Sequence, residues 1–170
     1  MSRGGARRLA FQALLVAIVA VATIVIQVPM PGTQGYVNIG DAALFVIALM
    51  FGPRHGLVAG GVGSALADLL TGYAHWAPWT LVIKGTEGWI AGRLGHAALV
   101  ARRRVGLQAL AAMAVAGIWM VAAYFVAGSL MESVAAALGS LPGNSIQGAV
   151  SLVLAAAALQ PLARFAGRES

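Results

Sequence analysis

Apolar residues run along this chain in long, nearly unbroken blocks separated by short polar punctuation, with little of the alternation that marks half-buried strands. The first block, about Leu9 to Val28, is closed by Pro29 and Pro31. At about 20 residues it matches the thickness of a bilayer. A second, Ala42 to Phe51, is too short to span at about 1.5 Å per residue, so it must begin near Asn38 or be tilted and broken. Gly52-Pro53-Arg54-His55 makes the next turn. A third helix is predicted over about Gly56 to Leu70, a fourth over Pro78 to Val100 and a fifth over Leu107 to Leu130. Glu132 to Leu141 reads as a loop that is partly helical, and Pro142 suits the first turn of a sixth helix reaching about Phe165. The pattern predicts an all-α integral membrane protein of six transmembrane helices. No linker, low-complexity tract or internal repeat divides it, so residues 1–170 read as a single domain.

Composition supports this. The chain is 60% hydrophobic and 9% charged, with a mean hydropathy of +0.86, whereas soluble domains carry about 25% charged residues. A basic start before an apolar run has the outline of a signal peptide, but the run is long for one and five more apolar segments follow. The net charge of +6 invites a nucleic-acid reading. The arginines, however, lie between apolar runs and not on one polar face. Arg3, Arg7, Arg8, Arg54, Arg102, Arg103, Arg104, Arg164 and Arg168 all fall on one side of a six-span topology, and the loops of the other side hold no Lys or Arg. The positive-inside rule then places both termini in the cytoplasm. There is no cysteine, and hence no disulfide framework.

Charges inside such spans need a reason, because each costs about 2.5–3.5 kcal/mol at the bilayer centre. The fourth helix puts Thr80, Lys84, Glu87, Gly88, Ala91 and Gly95 on one face. The sixth aligns Asn144, Gln147, Gly148 and Ser151. Both polar sets lie in the outward halves of their helices, with Tyr124 of the fifth and Tyr36, Asn38 and Asp41 of the first outer loop. Together they suggest a small pocket open to the outside, suited to a compact heteroaromatic ligand. Bland readings stand beside this one. Lys84 and Glu87, three apart, make a structural ion pair as readily as a ligand pair. Asn144 and Gln147 serve equally as interhelical hydrogen-bond glue. Trp76, Trp79, Trp119 and Tyr73 fit an interfacial aromatic belt, Trp79 being the best exception. Asp68 needs to be no more than solvated at its helix end.

Small residues also form stripes. Gly56, Gly60, Gly63 and Ala67 on the third helix suit packing within the chain. Ala6, Ala10, Ala13, Ala17 and Ala20 share a face of the first helix, open to another helix of this chain or to a separate membrane subunit. No P-loop, H-E-x-x-H or G-x-S-x-G sequence is present. The chain reads as a binder powered from elsewhere, with no cofactor, metal or nucleic-acid partner expected.

Tyr36-Val-Asn38-Ile-Gly40-Asp41, Phe51-Gly52-Pro53-Arg54-His-Gly56, Gly60-Gly-Val-Gly63-Ser64-Ala-Leu-Ala67-Asp68, Trp76-Ala-Pro78-Trp79-Thr80-Leu-Val-Ile-Lys84-Gly85-Thr-Glu87-Gly88 and Pro142-Gly143-Asn144-Ser-Ile-Gln147 together resemble the substrate-binding S components of energy-coupling factor (ECF) transporters. The similarity covers essentially the whole chain and leans to the hydroxymethylpyrimidine and pyridoxine branch related to the riboflavin S component. It implies a six-helix bundle in a prokaryotic plasma membrane that is not itself an enzyme. It further implies an outward pocket for a vitamin or precursor, covered by the first outer loop. Tyr36, Asn38, Asp41, Trp79, Lys84, Glu87, Tyr124, Asn144 and Gln147 are the expected substrate-binding residues. In the expected roles, Glu87 accepts hydrogen bonds from the ligand, Lys84 holds a hydroxyl or tunes Glu87, and Asn144 and Gln147 read the ring edge. The resemblance implies docking of Ala13 and Ala17, flanked by Ala10 and Ala20, on a transmembrane coupling subunit joined to two ATPases. Two other classes fit the residues: a self-sufficient secondary carrier and, less well, an intramembrane enzyme built on Glu87.

Overall fold

The computed structural model describes residues 3–102 and 104–165. Arg103 and Arg168, used above for orientation, lie outside them. The elements in order are α1 (Arg3–Val25), β1 (Gln27–Pro29), β2 (Tyr36–Asn38), α2 (Gly40–Phe51), α3 (Pro53–Thr71), α4 (Ala77–Arg102), α5 (Leu107–Met131) and α6 (Val134–Phe165). Three stretches, Gly4–Val25, Leu107–Met131 and Val134–Ala163, are long and apolar enough to cross a bilayer by composition alone. Exposed Leu14, Ile18, Val21, Ile118, Val126, Val150 and Val153 give these helices apolar outer faces, which is where lipid would lie.

The short α2 is the centre of the bundle, packed by α1, α3, α4 and α6. That explains why it is apolar all round. Leu44, Phe45, Ala48 and Leu49 are fully buried and join Ala91, Leu99, Met113, Ala116, Ala155 and Leu159 in the main core. α2 stops at Gly52, whose φ of 91° favours glycine, and Pro53 then starts α3 at a position where its missing N–H costs nothing.

The α3–α4 seam is made by glycines. A Cβ at Gly88 would sit 2.3 Å from the Gly56 carbonyl oxygen, and one at Gly60 would sit 2.7 Å from that of Lys84. The stripe on the third helix is therefore internal packing, as small residues allow in lipid.

Two expectations are corrected. The first outer loop is not irregular: β1 and β2 pair antiparallel, Gln27 opposite Asn38 and Pro29 opposite Tyr36. Short segments rich in Val and Tyr on either side of Pro31-Gly32 supply the strands, and Gly32 (φ 78°) turns the tip. Likewise, the sixth helix does not start at Pro142 but at Val134, with Pro142 and Pro161 inside it. Proline at 142 removes only the hydrogen bond to the Leu138 carbonyl, and Leu138 is exposed at the end of the bundle.

Candidate functional site

The hairpin, the α3–α4 turn and the α5–α6 turn lie at one end of the bundle and enclose a cavity of about 50 Å³, room for a few water molecules. Its roof is Met30, Thr33, Gly35, Tyr36 and Asn38 of the hairpin. Ser64 and Asp68 come from α3, Thr80 and Lys84 from α4, Tyr124 and Gly128 from α5, and Ser140, Asn144 and Gln147 from α6, with Trp76 and Glu132 from the turns.

The sequence pattern explains the convergence. On α4 every member of the polar face, Thr80, Lys84, Glu87, Gly88, Ala91 and Gly95, is buried. Lys84 Nζ donates to Asp41 Oδ1 at 2.5 Å and to Glu87 Oε2 at 3.0 Å, making a three-member ion cluster that links the start of α2 to α4. All three side chains are at most 2% exposed. Such charges are tolerable only when each has its partner. Lys84 also lies 5.5 Å from the centroid of the Tyr124 ring, within cation–π range, and the Tyr124 hydroxyl donates to Thr80 Oγ1 at 3.1 Å. Gln147 closes the cluster from above. Its Nε2 donates to Asp41 Oδ2 at 2.7 Å, and its Oε1 accepts the Asn38 backbone N–H at 2.7 Å.

The hairpin is tied down at further points. The Tyr36 hydroxyl donates to Asp68 Oδ1 at 2.6 Å. Burial first, and the Asp68 carboxylate second, push the Tyr36 phenol above its ordinary pKa, so it remains a donor. At the tip, the Gln34 N–H points at the Glu132 carboxylate (3.2 Å to Oε1), and the Gln34 carbonyl accepts from Trp76 Nε1 at 3.0 Å. Gly143 leaves room for this roof, since a Cβ there would meet Met30 Sδ at 2.5 Å.

Of the nine predicted site residues, Tyr36, Asn38, Lys84, Tyr124, Asn144 and Gln147 line the cavity. Three do not. Trp79 is 37% exposed on the outer surface, and Trp76, at 8%, takes the place expected for it. Asp41 and Glu87 sit beneath Lys84, outside the lining. Glu87 Oε1 is buried with no hydrogen bond. The residue the sequence reading undervalued is Asp68. It is 2% exposed and on the cavity wall, and its Oδ2 has no hydrogen bond of good geometry, although the Thr80 hydroxyl is close enough to act on the carboxylate. Its spacing of four from Ser64, on the small-residue face of α3, was the signal that it points inward.

On α1, Ala10, Ala13 and Ala17 are exposed, whereas Ala20 is only 8% exposed and belongs to the interior. Among the described residues, no group of three or more His, Asp or Glu could hold a metal ion.

Residues 5–164 match the family model described as the ECF-type riboflavin transporter, S component. The chain belongs to that family. The fold of this S component superimposes on the solved structure titled "Structure and mechanism of the S component of a bacterial ECF transporter" with a TM-score of 0.73. That superposition covers 95% of this chain and 98% of the other at 19% identity. Among curated proteins, an uncharacterised protein of the gap 3′ region of Pyrococcus woesei is 55% identical over 74 residues, 44% of this chain and 49% of that protein. The thiamine precursor transporter HmpT of Lactococcus lactis subsp. cremoris is 31% identical over 65 residues, 38% of this chain and 39% of HmpT. The matched segments thus span half or less of these relatives.

Proposed function

We propose that this S component captures a small water-soluble vitamin or vitamin precursor from the outer face of a prokaryotic plasma membrane and delivers it inward. Delivery requires docking on a transmembrane coupling subunit that carries two ATPases. Hydroxymethylpyrimidine or a B6 vitamer is favoured over riboflavin.

The observation that carries the reading is the roofed cavity itself. Donors and acceptors from α3, α4, α5 and α6 converge beneath a hairpin held by a few side-chain hydrogen bonds. A cavity this small, with the adjacent rings of Trp76 and Tyr124 in its lining, suits a single heteroaromatic ring better than a tricyclic one. HmpT, one of the relatives, is named a thiamine precursor transporter. Charge supports the orientation: exposed Arg7, Arg8, Arg54 and Arg104 lie at the end of the bundle opposite the hairpin, the distribution expected of a cytoplasmic end with the cavity facing outward. Exposed Ala10, Ala13 and Ala17 offer a flat strip for the coupling subunit, and Ala20 falls outside it. No P-loop exists to bind ATP in this chain, so the energy comes from the partners.

The test is uptake. Cells expressing this chain with a coupling subunit and its ATPases should accumulate labelled hydroxymethylpyrimidine or pyridoxine, and cells lacking those subunits should not. Uptake by the chain alone would make it a secondary carrier instead. Conversion of the ligand by purified protein, read by mass spectrometry, would make it an enzyme.

A further inference from the structure

Four of the chain's five acidic residues, Asp41, Asp68, Glu87 and Glu132, line the cavity or lie directly beneath it. Against them stands Lys84, the chain's sole lysine. Its hydrogen bonds go to Asp41 and Glu87, neither of which is in the cavity lining. The carboxylates of Asp68 and Glu132 face the same cavity and form no ion pair with another described residue, although Lys84 in the lining acts on Asp68 through space. Glu132 is satisfied in part by the Gln34 N–H at the rim. Asp68 is more than nine-tenths buried, and its Oδ2 stands on the cavity wall without a hydrogen bond. The Thr80 hydroxyl lies close to the carboxylate without bonding Oδ2 in good geometry, and Lys84 and, more weakly, the exposed imidazole of His75 act on it only through space. A buried acceptor left in this state is costly unless something that enters the site completes it.

The same cavity carries two aromatic walls. Trp76 and Tyr124 meet edge to face, with ring centroids 5.8 Å apart. Aromatic faces attract cations as well as flat rings.

We infer that the ligand binds as a cationic nitrogen heterocycle, giving a charged N–H to Asp68 Oδ2 while its ring packs against Trp76 and Tyr124. This rests on the vitamin-binding reading above and narrows it. Amino-pyrimidines and pyridines, which carry or readily take a proton on nitrogen, belong to the class. A neutral flavin does not. Asp68 then acts as the specificity-determining residue, and the Tyr36 hydroxyl holds its other oxygen in place.

The experiment is titration calorimetry of the purified full chain in detergent at neutral pH with four probes. They are 4-amino-5-hydroxymethyl-2-methylpyrimidine, pyridoxamine, riboflavin and 2-amino-4-methylbenzyl alcohol, the analogue of the first in which the two ring nitrogens are replaced by carbon. At least one of the first two should bind, and the carbocycle should be at least tenfold weaker than it. Asp68→Asn should weaken the bound heterocycle at least tenfold and leave the carbocycle unchanged. The ring comparison uses the unaltered protein, so it decides the matter even where Asp68→Asn fails to fold. Equal affinity for carbocycle and heterocycle, or tight riboflavin binding that Asp68→Asn does not weaken, would overturn the cation inference while leaving vitamin binding in place. Binding of none of the probes would remove the vitamin-binding reading and this inference with it.

Discussion

Gln147 and Asp41, 106 positions apart in the chain, meet above the buried ion cluster, with Gln147 Nε2 donating to Asp41 Oδ2 at 2.7 Å. The other end of the same amide accepts the Asn38 N–H at 2.7 Å. One side chain thus joins the leg of the hairpin to the charges under the cavity. Gln147→Leu keeps much of the volume and removes both bonds. We expect it to lower stability by about 1–3 kcal/mol, the cost of leaving buried polar partners unmade. Thermal unfolding in detergent measures that cost, and faster amide exchange at residues 36–40 shows that the hairpin has been freed. Unchanged exchange there would mean that Tyr36 and Trp76 hold the roof without it.

The ion cluster predicts an asymmetry. Lys84→Met strands Asp41 and Glu87 as buried charges and should destabilise the protein by about 3–5 kcal/mol. Replacing all three members together, Asp41→Asn, Lys84→Met and Glu87→Gln, should recover most of that loss, because no net charge is left behind. Denaturation of the two variants side by side measures the difference. A triple variant as unstable as the single one would contradict the pairing.

The two tryptophans beside the cavity separate lining from surface. Trp76→Ala removes a wall and a donor to Gln34, and ligand affinity should fall at least tenfold. Trp79→Ala, on the exposed face, should leave affinity within a factor of about two. Titration calorimetry reads both. A larger loss at Trp79 would return that residue to the site.

Much of this was legible in the sequence, and what was missed has physical causes. Long apolar blocks located α2 to α5 to within three residues at either end, since burial of backbone in lipid leaves few alternatives, while the starts of α1 and α6 were placed six and eight residues late. The polar face of α4 was visible because the 3.6-residue period groups Thr80, Lys84 and Glu87. The same period cannot say whether a partner is a ligand or another helix. Asp41 lies 43 residues from Lys84 and across a helix boundary, and no local pattern links them. Trp76 and Trp79 are both aromatic residues at the same turn, three positions apart, and only the direction of α4 decides which faces inward. The hairpin escaped because strands of three residues carry almost no alternation. Pro142 misled because proline usually opens helices, whereas here α6 tolerates it eight residues in.

The α1 surface makes a prediction about transport alone. Ala13→Trp and Ala17→Trp place a large ring on an exposed strip remote from the cavity lining. Ligand binding should be unchanged and uptake with the coupling module lost. Uptake that persists in both variants would move the docking face elsewhere.

On this reading a visiting molecule completes the bonding beneath the hairpin. A structure of the protein determined with its bound heterocycle tests this most directly. The ligand should lie between Asp68, Lys84 and Asn144, with Trp76 and Tyr124 against its ring and the 27–38 hairpin closed above it. A ligand seated elsewhere, for example against Met113, Val121 and Leu152 in the apolar groove between α5 and α6, with Asp68 Oδ2 still lacking a hydrogen bond, would contradict it.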